Sequence, residues 1–164
     1  MPSGGVDRQL YLTSKFGGED SARSVYKRIE DEGKKNKIYF QFNKIAKTPN
    51  SFLSHKLLAY AHNKNKQTDV LELLFYKYFI EGEDIGSLNV LIKTAKDADI
   101  YDANIEKYII SNQDNDSLLN EEKQAKNIGI NSVPCFIFNK EIVVNGAQPT
   151  KRFIQIIDSL NKNV

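Results

Sequence analysis

With 164 residues, 40% of them hydrophobic and 27% charged, the chain has the size and composition of one globular domain, or of one domain carrying an insertion. The net charge of +2, from 23 Lys and Arg against 21 Asp and Glu, leaves no electrostatic footprint for nucleic acid. No apolar run is long enough to span a membrane, and the opening MPSGGVDRQLYL lacks the order of a signal peptide, so no membrane association is expected and the cytoplasm is the expected compartment. The only cysteine, Cys135, excludes an internal disulfide and a CxxC pair. His55 and His62 have no companion ligands, so no metal site is expected.

In chain order, DRQLYLTSKFGG predicts a short helix halted at Gly17-Gly18. EDSARSVYKRIEDEG predicts a second, with acids early, Val25 and Ile29 at i,i+4 spacing, and Gly33 as its end. The β-rich Ile38–Phe42 segment reads as a strand or as an extended connection. Thr48-Pro49-Asn50 starts a third helix, with Asn50 or Ser51 as cap and Leu53, Leu57 and Ala61 as its apolar stripe. QTDVLELLFYKYFIEG is apolar on most faces, which predicts a buried central helix. SLNVLIKTAKDAD, YDANIEKYIIS and LLNEEKQAKNIG predict three more, with Gly129 just past the last.

The period then changes. CFIF (135–138) and IVV (142–144) read as a hairpin across Asn139-Lys140-Glu141. NGAQPT is a loop, and TKRFIQIIDSL closes the chain as a helix with Phe153, Ile156, Ile157 and Leu160 on one face. A lone hairpin is marginal, so its apolar edge is expected to pair with Ile38–Phe42, to pair with a second copy, or to be covered by the last helix.

A helix ending in glycine, a loop, Val133-Pro134, an apolar hairpin and a final helix resemble the second half of a thioredoxin fold. Together with DRQLYLTSKFGG, TPNSFLSHKLLAYA, LELLFYKYFIEGEDI and AKNIGINSVPCFIFNKEIVVNGAQP, they resemble the DsbA-like thioredoxin-fold proteins. The likeness is to the cytoplasmic branch near the 2-hydroxychromene-2-carboxylate isomerases and kappa-class glutathione transferases. It implies an α/β, mostly helical chain: a truncated thioredoxin-like fold with a large inserted helical domain. Residues 1–44 would be opening helices and a short strand, 45–128 the insertion, and 129–164 the hairpin and last helix. It also implies that the family's strand, CxxC helix and second strand, which precede an internal Met-Pro in relatives, are missing before Met1-Pro2.

The resemblance makes Pro134 a cis-proline and lets the Val133 backbone pair with an extended substrate, as in strand addition. A plain strand start is the other reading of Val133-Pro134. Cys135 is either a small buried hydrophobe on the strand or a residual thiol able to form, but not resolve, a mixed disulfide. Gly146, Ala147 and Gln148 match the turn that helps hold the γ-glutamyl end in glutathione-using relatives, although Ala-Gln replaces a Ser-Asp type pair, which argues against glutathione as a cofactor. Asn50 and His55 match an Asn-Thr…His pattern, and are either a cap and a hydrogen-bonded helix-face histidine or residues of the substrate groove. The implied function is thiol–disulfide exchange on protein or small-molecule thiols, inactive in this chain without CxxC. The alternatives are a non-catalytic peptide-binding module, with room for a homodimer, and a glutathione-dependent isomerase or transferase relative.

Overall fold

The computed structural model describes residues 1–161, and these divide into two compact units, Met1–Leu118 and a second that begins at Leu119. The first begins with β1 (Val6–Asp7), α1 (Arg8–Phe16) and α2 (Glu19–Lys35). Asp7 caps α1, its Oδ1 accepting from the Leu10 N–H at 2.8 Å. Gly17 ends α1 in the left-handed region at φ 73°. Gly33 does not end α2. The helix runs on to Lys35 and stops where Lys37 turns left-handed at φ 62° and Ile38 N–H donates back to the Gly33 carbonyl. Glycine is needed at 33 for another reason: a Cβ there would sit 2.7 Å from the Phe40 ring.

Ile38–Phe42 is the extended connection and not a strand: its backbone leads into a 3-10 turn, Phe42–Lys44, and Gln41 N–H donates to the Phe79 carbonyl at 2.8 Å. Its side chains build an aromatic knot instead, with Phe42 edge-on to Tyr26 and Phe40 stacked on Phe42. The strand that β1 does pair with is β2 (Lys47–Thr48), antiparallel, with Val6 opposite Thr48.

The core lies among α3 (Phe52–His62), α4 (Gln67–Tyr76), α5 (Leu88–Asp97) and α6 (Ile105–Ile110). Leu57, Val70, Leu91, Ile105 and Ile109 are fully buried there. The segment expected to be a buried central helix departs from that expectation twice. Val70 and Leu74 are buried, but Phe75 and Tyr76 are about half exposed. After Tyr76 the helix widens into a π turn, Lys77–Glu81, which ends at Gly82 in the left-handed region.

The second unit contains most of α7 (Asn115–Asn127), the hairpin β3 (Cys135–Phe138) and β4 (Ile142–Asn145), and α8 (Thr150–Asn161). Gly129 at φ 85° ends α7, with Gly129 N–H bonded to the Lys126 carbonyl and Ile130 N–H to that of Ala125, a Schellman closure. The hairpin turns through Asn139 and Lys140, both left-handed, with Glu141 N–H donating to the Phe138 carbonyl at 3.0 Å. Two left-handed central residues are the turn that matches strand twist. The chain is thus mostly helical, with a few short strands, and no helix among the described residues is long and apolar enough to cross a membrane.

Candidate functional site

The register of the hairpin sets its two faces. Phe136 opposes Val144 and Phe138 opposes Ile142, and both phenylalanines meet Phe153 of α8, with ring centroids 4.7 and 6.1 Å apart. Cys135 and Ile137, opposite Asn145 and Val143, belong to the other face, where Ile137 and Val143 stay exposed. The last helix therefore covers a face of the hairpin. The edges are unpaired among the described residues, since the sheet has two strands only.

Just before β3 the Val133-Pro134 peptide bond is cis. The Pro134 carbonyl extends the ladder, accepting from Gly146 N–H at 2.8 Å. Gly146 is left-handed at φ 77° with open space where a Cβ would be. Val133 is 86% exposed, and its N–H and C=O have no protein partner among the described residues. Cys135 is half-buried and free. Ala147 and Gln148 are exposed, and Gln148 Nε2 folds back onto the Asn145 carbonyl at 3.2 Å. Val133, Pro134, Cys135, Gly146, Ala147 and Gln148 thus gather around the open end of one hairpin.

Asn50 and His55 lie in the first unit. Asn50 Oδ1 accepts from Phe52 N–H at 2.9 Å at the start of α3, while its Nδ2 donates to the Met1 carbonyl at 2.9 Å. Ser51 makes no side-chain capping bond. The His55 ring is exposed and has no hydrogen bond among the described residues, unlike the satisfied helix-face histidine expected from sequence.

Three buried cations escaped the motif-based reading. Arg8 is 93% buried, 7% of its surface being exposed. Lys56, fully buried, donates from Nζ to the Ser111 carbonyl at 2.5 Å and to Asn115 Oδ1 at 3.1 Å. Burial pushes its ammonium below the usual lysine range, against the opposing pull of Asp114. Lys77, in the π turn, has Nζ 2.8 Å from Asp97 and 3.9 Å from both Glu81 and Glu83. Each stands on a helical stripe with buried or part-buried neighbours: Arg8 with Leu12, Lys56 with Leu53 and Tyr60, Lys77 with Val70 and Leu74. Helical periodicity, applied without excluding charged residues, would have found all three.

A fourth cluster joins α3 to the loop before α6. Tyr60 O–H meets both oxygens of Asp102 at 2.8 and 2.7 Å, and Lys64 Nζ reaches Oδ2 at 2.8 Å. The Lys64 and Tyr60 hydrogen bonds hold the Asp102 carboxyl down to about 2. Burial, then the bond to Asp102, pushes the Tyr60 hydroxyl up to about 12. No group of three or more His, Cys, Asp or Glu residues is placed to hold a metal among the described residues.

A family model described as DSBA-like thioredoxin domain matches residues 1–158. No curated protein matches the chain. The crystal structure of a probable DsbA oxidoreductase from Streptomyces coelicolor superposes with a TM-score of 0.83 at 18% identity, over 94% of this chain and 67% of that one. At that identity the likeness speaks for the fold.

Proposed function

Because this chain belongs to the DSBA-like thioredoxin domain family, we propose that it serves thiol–disulfide exchange by docking an extended thiol- or disulfide-bearing ligand, without being a self-sufficient redox catalyst. In this reading residues 45–128 are a helical insertion and 129–164 the closing part of a thioredoxin-like fold, whose hairpin offers the docking edge. The observation that carries it is Val133: an exposed residue with free N–H and C=O, two positions from the free thiol of Cys135 and beside the unpaired outer edge of β3. Such an edge can add a short ligand strand by main-chain hydrogen bonds.

The chemistry open to one thiol is limited. The Cys135 thiolate attacks a ligand disulfide, one new S–S bond forms to Cys135, and the other ligand sulfur leaves as thiolate. Release then needs a thiolate from a second molecule, because the chain has no second cysteine to resolve the adduct. Catalysed reduction of insulin disulfides is therefore expected to stay at the uncatalysed rate. Incubation with glutathione disulfide should give a single adduct by mass spectrometry, absent from Cys135→Ser and discharged by added thiol. An extended cysteine-containing peptide should shift the amide resonances of residues 131–136. Turnover of insulin, or a peptide that leaves those amides unmoved at saturating concentration, would defeat the reading.

A further inference from the structure

Arg8 opens α1 and is buried without an anion. Its guanidinium lies 4.6 Å from the Tyr26 ring centroid and 5.5 Å from that of Phe42. Its one side-chain hydrogen bond goes from Nη1 to the Tyr78 hydroxyl at 3.1 Å, and that hydroxyl donates onward to the Lys47 carbonyl at 3.4 Å. No carboxylate lies within ion-pair distance of it among the described residues. The two acids nearby are engaged elsewhere: Asp7 caps the Leu10 N–H, and Glu19 pairs with Arg23 at 3.0 Å.

Ring faces attract a guanidinium but do not neutralise it, and a guanidinium carries five N–H donors of which the protein satisfies one. Buried charge is normally paired. Arg8 also lines a cavity of about 500 Å³, which it shares with Leu12, Tyr26, Phe42 and Ile45 and, on its polar side, with those same Asp7 and Glu19 carboxylates. The cavity thus combines an unneutralised guanidinium with an apolar side, its two acids being taken up by the Leu10 N–H and by Arg23.

We infer that this cavity is a binding site for a small organic carboxylate, held by the Arg8 guanidinium with its apolar body against Tyr26, Phe42 and Ile45. The planar fork of the guanidinium suits a carboxylate, which can accept two parallel N–H bonds. The site is separate in residues and chemistry from the Val133 hairpin and stands or falls independently of it.

The test is titration of the whole chain with butyrate, followed by the Arg8 side-chain and Tyr26 ring resonances. Butyramide serves as the neutral isostere, and inorganic phosphate and sodium chloride serve at matched ionic strength. Butyrate should give saturable shifts and butyramide and chloride none. Arg8→Lys, which keeps the charge but not the fork, should weaken butyrate about tenfold or more. Equal response to butyrate and butyramide, no saturable response, or tighter binding of phosphate than of butyrate would each overturn the assignment. Should Arg8→Lys fail to fold, the comparison of butyrate with butyramide on the unmodified protein decides alone.

Discussion

In the unit Met1–Leu118 a continuous cluster runs from Leu57 through Leu91 to Ile109, with side chains wholly withdrawn from water. In the unit that begins at Leu119, Ile156, at 5% exposed, is the one buried hydrophobic side chain among the described residues, while Ile137, Val143, Ile154 and Ile157 lie substantially exposed. Hydrophobic burial scales with the area removed from water. The first unit therefore has its own thermodynamic support, and the second leans on backbone closures: a Schellman cap, a tight turn and a four-pair ladder. The candidate docking edge belongs to the less buried unit, as expected where a surface must stay free for a ligand.

The largest expected break in this contrast comes from the core. Leu57→Ala should cost about 2–5 kcal/mol, against a change within about 0.5 kcal/mol for Ile137→Ala. Every tyrosine lies in the first unit, so tyrosine fluorescence in urea follows that unit, while the reactivity of Cys135 follows the second. Equal effects of the two substitutions would erase the distinction.

A matched pair of glycines sharpens it. Gly82 and Gly146 share φ 77°, but a Cβ at 82 would lie 2.6 Å from Lys44 backbone and side-chain atoms, whereas one at 146 meets nothing within 4 Å. Gly146→Ala should cost only the backbone strain, roughly 1–2 kcal/mol. Gly82→Ala should cost more, because Lys44 must also move. The difference between their urea midpoints measures the packing of the first unit alone.

The pH dependence should be smaller and confined to the first unit. The Asp102 carboxyl is held below its ordinary 3.8, so its contribution is present above that value and is lost as pH falls toward about 2. The Tyr60 hydroxyl is raised from 10.0 to about 12, so its contribution is present below 10 and is lost as pH rises through that window. Asp102→Asn should flatten the acid limb of a fluorescence-monitored stability profile. The smallest effect is expected from Cys135→Ser, a half-buried site, which should move stability by less than about 1 kcal/mol while removing the disulfide adduct. A large loss would show that Cys135 is a packing residue first.

The sequence foreshadowed these differences unevenly. Helices, the hairpin and the glycine after α7 were legible because they rest on local rules: periodicity, turn chemistry and left-handed caps. Val133, Pro134 and Cys135 drew attention as a string, and the structure adds that the Val133 backbone is free. Ile38–Phe42 reads from sequence as a strand or an extended connection, and propensity does not choose between them because its β-formers are used as an aromatic wedge between α2 and the π turn, a tertiary role. Gly33 misled because close approach of Phe40, not helix ending, requires it. The pairing of β1 with β2 was invisible because each strand is two residues long, too short to show alternation.

The buried ammonium groups of Lys56 and Lys77 have a practical consequence. Amine-acylating reagents modify lysines that meet solvent, and most of the lysines in this chain do. Lys56 holds the carbonyl at the end of α6, and Lys77 sits among three carboxylates, both beneath the surface. In a mapping experiment these two should remain as silent peptides while their neighbours label. They should light up together only when the helical core opens, giving a built-in chemical clock for its unfolding.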